Sequence, residues 1–241
     1  MFSIRGLFIG FLQKAFQELS YNKKERKNML SVTKNQNKKK TGSTFSIRSL
    51  TMIGVLSAIA VVLMLFDIPL GFLPSFYKID FSEVPVMIGS FALGPVAGVM
   101  IEFIKILLNL LINGTDTAGI GELANFFIGC SIVVPASIIY SRKKTKEGAV
   151  LGLVIGTLLL TIVGSLLNAY VLLPAYGAAF HMPIDRLIAM GTAINPSINS
   201  MSTFILLAVV PFNLLKGVLV SIITILLYKK LSPIIKGNYD R

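Results

Sequence analysis

The chain has 241 residues, 54% of them hydrophobic and 14% charged, with a mean hydropathy of +0.76. That composition excludes an ordinary soluble domain and asks for one domain that crosses a membrane several times. The formal charge of +12 does not point to nucleic acid. Lys and Arg gather in the first 48 residues, in "SRKKTKEG" and in "YKKLSPIIKGNYDR", as loops held on the cytoplasmic side and close to membrane lipid do. Cys130 and His181 are the sole Cys and His, so the chain alone offers no disulfide framework and no thiolate or multi-His metal centre. Cys130 lies in an apolar span and reads as a small packing residue.

In chain order, "MFSIRGLFIGFLQKAFQEL" sets Ile4, Phe8, Phe11, Leu12, Phe16 and Leu19 near one helical face. Charges interrupt it and no small-residue cleavage site follows, so an interfacial amphipathic helix is expected rather than a span or a signal peptide. With the polar tether behind it, residues 1–48 form a basic cytoplasmic extension. Six membrane segments are expected next: Leu50 to Phe66, Glu83 to Leu93, Val96 to Ile112, Ile120 to Tyr140, Ala149 to Leu173 and Thr203 to Tyr228. The second is too short to cross comfortably, so it tilts or packs inside the bundle, where Glu83 need not meet lipid. The expected fold is an all-α integral membrane protein: a six-helix substrate-binding bundle over residues 49–232, then a cytoplasmic tail over 233–241. Six crossings put both termini on one side. With that side inside, the external loops 67–82, 113–119 and 174–202 carry only two basic residues, Lys78 and Arg186.

Ionisable and amide side chains within spans mark candidate function, because hydrocarbon penalises them unless a cavity or partner receives them. Glu102, Lys105 and Asn109 share a face of the third segment, and Glu102 with Lys105 is favoured as interhelical glue. Glu122 and Asn125 stand one turn apart at the outer start of the fourth. Asn168 lies near the outer end of the fifth, and Asn213 and Lys216 are three apart just after Pro211. Three segments thus bring amides to a similar outward depth. An amide both donates and accepts, which suits a flat heteroaromatic ligand with alternating carbonyl and N–H edges better than an ion.

The stretch "FLPSFYKIDFSEVP" between the first two segments is framed by prolines and alternates apolar with polar residues. It is expected to lie as an extended, mobile cover, turning Phe76, Ile79 or Phe81 toward a ligand. Asp80 and Ser82 either cap the following helix or touch the ligand. Catalysis finds no Ser/His/Asp set, no P-loop and no acidic metal repeat, and "GIG" at 119–121 falls well short of a dinucleotide fingerprint. No enzyme activity and no cofactor are expected, and any ATP-driven step must come from partner chains.

Assembled, "FLPSFYKIDFSEVP", "FALGPVAG", "GELANFFIG", "LLNAYVLLPAYG" and "PFNLLKG" resemble the substrate-binding S-components of energy-coupling factor (ECF) vitamin transporters, and the last two point to the riboflavin-binding type. The resemblance implies a six-helix bundle in the bacterial plasma membrane that binds riboflavin near the outer face. FMN is left open as a second ligand. It places Asn168, Asn213 and Lys216 on the isoalloxazine edge and ribityl chain. Asn125, Tyr176 and the segment Ile79, Asp80, Phe81 and Ser82 close the pocket. It also implies a transmembrane coupling subunit and two ATPases as partners. The family docks that subunit on small residues four apart in the first segment; the nearest match here is Gly54 and Ala58. The alternatives are an S-component for folate or a pyrimidine, and a membrane scaffold that presents flavin without importing it.

Overall fold

The computed structural model describes residues 46–71, 73–74, 77–115 and 117–236, with side chains as far as Tyr228. The expected interfacial helix, the polar tether, Phe76 and the last five residues lie outside these. Within them the chain is almost wholly helical: α1 (Ile47–Leu65), α2 (Glu83–Leu93), α3 (Pro95–Asn113), α4 (Ile120–Arg142), α5 (Lys146–Leu167), α6 (Leu173–Ala179), α7 (Ile184–Thr192), α8 (Met201–Phe204) and α9 (Val210–Lys236). Two residue pairs form the strands β1 (Ile68–Pro69) and β2 (Lys78–Ile79).

Five helical stretches among the described residues are long and apolar enough to cross a membrane: α1, α3, α4, Lys146–Ala179 and Met201–Tyr228. Their outward residues include Val55, Leu111, Leu123, Leu158 and Leu226, each more than two-fifths exposed. The buried set includes Glu83, Glu102, Lys105, Asn168 and Asn213. Apolar outside and polar inside is the order that hydrocarbon solvent imposes. The short helix α2 has nine of its eleven residues buried, from Glu83 through Phe91. It sits inside the bundle, as its length and its glutamate require.

Small residues set the helix spacing. A Cβ at Gly98 would meet Ser90 and Val133, and one at Gly152 or Gly156 would strike the Ala136 or Ile132 carbonyl at 2.7 Å. So α3 closes on α2 and α4, and α5 on α4, at backbone distance.

Two expectations about the fifth and sixth segments change. The fifth does not stop before Pro174. A five-residue π turn, Asn168–Leu172, follows α5, and the Leu173 N–H reaches back to the Asn168 carbonyl. Pro174, lacking an N–H, then stands in the first turn of α6, where no donor is needed. A second π turn, Ile205–Val209, joins α8 to α9. Between them, the expected long loop contains the amphipathic α7, whose Leu187 is fully buried.

Candidate functional site

The segment after α1 is a small hairpin, not a single extended strand. Ile68 pairs with Ile79 and Pro69 with Lys78 in antiparallel register, and an exposed Lys78–Asp67 ion pair at 2.8 Å ties its base. Turn bonds from Leu73 to the Leu70 carbonyl and from Tyr77 to the Pro74 carbonyl fold the tip back. Leu73 and Tyr77 join a buried cluster with Leu173, Leu187, Ile198, Phe204, Ala208 and Val209. The hairpin is therefore seated on the second π turn and the amphipathic α7, with the Tyr77 ring 5.0 Å from that of Phe212 and 6.2 Å from that of Phe204.

Beneath Tyr77 lies a cavity of about 260 Å³, bordered by the ends of α1, α3, α4 and α5 and the start of α9. Asp80, Asn125, Asn168, Tyr176, Asn213 and Lys216 line it. Six of the nine side chains expected at a binding site are thus brought together from five places in the chain.

The other three, Ile79, Phe81 and Ser82, expected with them at the closure of the pocket, are not among the residues lining this cavity. Strand alternation explains Ile79: with Lys78 and Asp80 toward the cavity, it points the other way and is buried in the core. Ser82 does begin α2, but its hydroxyl makes no capping bond. Instead the Asp80 carboxylate accepts the Ser82 N–H at 2.8 Å, so Asp80 both terminates the hairpin and opens the helix. Sequence reasoning passes over Tyr77, Met64, Lys78, Thr117 and Phe212 as wall residues. Asn109 and Glu122, singled out as polar residues of their spans, are also in the wall.

The polar geometry is specific. Tyr77 Oη donates to Asn168 Oδ1 at 2.9 Å, and Asn168 Nδ2 donates to the Gly164 carbonyl at 2.8 Å. Asn213 Nδ2 donates to the Val209 carbonyl at 3.0 Å. Each amide thus anchors its nitrogen on the backbone four residues earlier, beside a π turn, and keeps its oxygen as the acceptor for another group. Gly164 makes this possible, because a Cβ there would come within 2.9 Å of both polar atoms of Asn213.

Lys216 Nζ lies 3.3 Å from Asp80 Oδ2, at the cavity wall. Burial pushes the Asp80 carboxyl up, but the Lys216 and Lys105 ammonium groups and the bonds from Ser82 outweigh it and hold it down at about 2. Asp80 therefore carries full charge at neutral pH. Burial also drives the Tyr77 hydroxyl well above its ordinary value, with Tyr176 adding to the effect, so it acts as a neutral donor.

A second ionic cluster lies next to the Lys216–Asp80 pair but outside the cavity lining. Lys105 Nζ donates to Glu83 Oε1 at 2.9 Å and stands 2.8 Å from Glu102 Oε2, all three buried. Gly129 on α4 is its floor, since a Cβ there would fall 2.2 Å from Glu102 Oε1. The expected Glu102–Lys105 glue is present, with Glu83 as a third member. Among the described residues, no group of three or more metal-ligating side chains is assembled.

Residues 48–228 match the model of the ECF transporter substrate-specific component. The chain belongs to this family. Relatives include the riboflavin transporter RibU of Staphylococcus aureus, 38% identical over 78% of this chain and 93% of the relative. The riboflavin transporter FmnP of Bacillus subtilis is 34% identical over the same shares. Among solved structures, one described as the S component of a bacterial ECF transporter superposes with a TM-score of 0.61 at 38% identity, over 78% of this chain and 97% of the other. The chain is accordingly a multi-pass protein of the bacterial plasma membrane and a transporter component, not an enzyme.

Proposed function

We propose that this S-component binds riboflavin in the cavity beneath Tyr77 and hands it inward when joined to a transmembrane coupling subunit and two ATPases. The observation that carries the reading is the convergence of Asn168, Asn213 and the Lys216–Asp80 pair on one cavity in a chain whose relatives are named riboflavin transporters. The pyrimidine end of an isoalloxazine presents two carbonyls flanking an N–H. An ammonium can donate to a carbonyl, and an amide oxygen can accept from the N–H, so Lys216 and Asn213 match that edge in kind. Tyr176 and Phe212 offer ring surface for the tricycle, and Asn125 and Asp80 offer partners for ribityl hydroxyls. FMN is a weaker second ligand in this reading, since Asp80 and Glu122 would repel its phosphate.

At about 260 Å³, the cavity is slightly below the roughly 300–1,000 Å³ of ordinary small-molecule sites. Riboflavin therefore enters by parting Tyr77 from Asn168 and lifting the hairpin, and the ligand takes over the polar atoms so released. In this reading α2 is the second of six membrane segments, both termini are cytoplasmic, and the hairpin and α7 lie outside. The exposed small residues Gly54 and Ala58 of α1 face the coupling subunit.

Two measurements test it. Purified protein should carry flavin absorbance or quench riboflavin fluorescence on titration; a colourless protein indifferent to riboflavin refutes the ligand. In vesicles the chain alone should bind but not accumulate riboflavin, and accumulation should need the coupling subunit, the ATPases and ATP. Uptake by the chain alone against a gradient would refute the energetics.

A further inference from the structure

The opposite end of the bundle carries a different concavity. Between α4, α5 and α9 lies a cavity of about 460 Å³ with Tyr140, Tyr228 and Phe91 at one wall, Lys144 and Lys146 at its rim, and Val150, Ile225 and Leu226 on its flank. The three rings interlock: Phe91 stacks on Tyr140 at 4.6 Å and meets Tyr228 edge-on at 5.5 Å, and the two hydroxyls bond at 2.9 Å. A second hollow of about 260 Å³ shares Val150 and Ile225 with the first and runs on between α5 and α9 past Val154 to Leu158 and Val218. There the groove ends, where the Thr157 and Ser221 hydroxyls bridge at 3.3 Å and Gly217 closes against Thr157.

This is a groove with a polar mouth, an apolar trough and a stop. From Lys146 to Leu158 it spans twelve helical steps, about 18 Å at the α-helical rise. One leaflet's share of a ~30 Å hydrocarbon core is about 15 Å. Its flank residues Val150, Val154, Leu158 and Ile222 are exposed, so it opens sideways to whatever surrounds the bundle, and in a membrane that is lipid. At the mouth, Lys143 is paired with Glu147 at 2.8 Å. Lys144 and Lys146 have no ion pair among the described residues and are exposed. Two unpaired ammonium groups at headgroup level, a tyrosine hydroxyl pair beside them and a trough of chain length match one kind of occupant.

We propose that this groove is a binding site for a single anionic phospholipid, its phosphate held by Lys144 and Lys146 and one acyl chain laid along α5 and α9 as far as Thr157. The inference does not depend on which vitamin the other cavity takes. Phosphate charge near a basic mouth is worth roughly fivefold in affinity per lysine, and the seated chain adds contact that a headgroup attracted only to the surface would lack.

Delipidated whole protein, incubated with phosphatidylglycerol or phosphatidylcholine and weighed by native mass spectrometry, should retain one phosphatidylglycerol and little phosphatidylcholine. Lys144→Gln with Lys146→Gln should lower phosphatidylglycerol retention roughly 25-fold. Val150→Trp, which fills the trough without changing charge, should also lower it while leaving the melting temperature and riboflavin titration unmoved. Equal retention of both lipids, or a Val150→Trp protein that still holds phosphatidylglycerol, overturns the site and leaves only a basic surface. A photo-crosslinker at Val154 in the assembled transporter decides the other occupant: label on phospholipid supports the proposal, and label on a coupling protein overturns it.

Discussion

Two buried lysines, Lys105 on α3 and Lys216 on α9, meet carboxylates supplied by the same short stretch of chain, yet they do different things. Glu83 and Asp80 are three residues apart, and each serves a different lysine. Lys105 has no exposed surface and two carboxylates within 3 Å. Lys216 has one, at 3.3 Å, and borders a cavity. Taking an ion pair out of water costs nearly as much as the pair returns, so neither is stabilising merely by existing. What separates them is access. The sealed cluster has no group to exchange partners with and can only hold α2, α3 and α4 in register. The cavity pair can release a donor and an acceptor to a ligand at little net cost.

The contrast breaks most visibly at Lys105. Lys105→Met leaves Glu83 and Glu102 buried without a counter-charge, and breaking a buried pair from one side typically costs about 3–5 kcal/mol. The variant should melt far below the parent or fail to be recovered from the membrane, and any protein that survives should bind riboflavin with near-parental affinity. A stable Lys105→Met protein with selectively weakened riboflavin binding would move this cluster from scaffold to site.

The cavity pair should show the reverse pattern. Lys216→Ala and Asn213→Ala each remove a proposed ligand partner from the cavity wall, worth about 1–3 kcal/mol, or roughly 5- to 150-fold in affinity. The melting temperature should fall much less than for Lys105→Met, because Lys216→Ala leaves one carboxylate at a cavity wall, still bonded by the Ser82 N–H, rather than two sealed in the interior. Titration of riboflavin fluorescence measures both. Unchanged affinity in the two variants would make Asn213 and Lys216 helix glue.

Much of this contrast is legible in the amino-acid sequence, and the rest has no local signal there. Hydropathy locates the crossing helices because span length is a local property, and Glu102 and Lys105 read as a pair because three residues is a helical neighbour distance. Glu83 as their third member depends on how deep α2 sinks. That is set by Gly98 and Ser90 packing at backbone distance, which no spacing encodes. Counting from the span ends places the amides of Asn168, just after α5, and Asn213 on α9 at one depth, and they do share one cavity. The loop is harder to read. Alternation assigns residues to two faces but not which face is inward, and here Lys78 and Asp80 hold the cavity side. Placing Tyr77, which follows Pro74 by three residues, requires the turn between them. Neither π turn has a sequence signature of its own, and Pro174 reads as a stop because nothing local shows that a π turn has already released the bond its ring would break.

A smaller effect sharpens the role of the hairpin. Tyr77→Phe keeps the ring contacts with Phe204 and Phe212 and deletes the bond to Asn168 Oδ1. If the hairpin is a cover, the Tyr77 hydroxyl released from Asn168 passes to the ligand in the loaded, closed state, and loss of that bond, about 0.5–1.5 kcal/mol, should show mainly as a roughly 2- to 10-fold faster riboflavin dissociation. Stopped-flow displacement reads the rate directly. An unchanged rate, with protease cleavage at Lys78 equally fast with and without riboflavin, would make the hairpin a fixed strut.

The smallest expected effect is a null with a defined edge. Asp80, in the loop ahead of α2, has its carboxyl held at about 2 against an ordinary 3.8. A carboxylate whose folded value is depressed contributes stability that is complete above the ordinary value and drains away as pH falls through the folded one. The Asp80–Lys216 pair should therefore be intact throughout pH 5–8 and weaken only between about pH 4 and pH 2. Riboflavin affinity measured at pH 5, 6, 7 and 8 should vary by less than about twofold as far as this pair sets it. Asp80→Asn should lower affinity by a similar factor at every one of those pH values, since it removes a charge that is constant across them. A steep change in parental affinity between pH 5 and 8 that disappears in Asp80→Asn would mean the carboxylate titrates there. The lysine would then not be its counter-charge in the membrane, and the difference between the two lysines would rest on Lys105 alone.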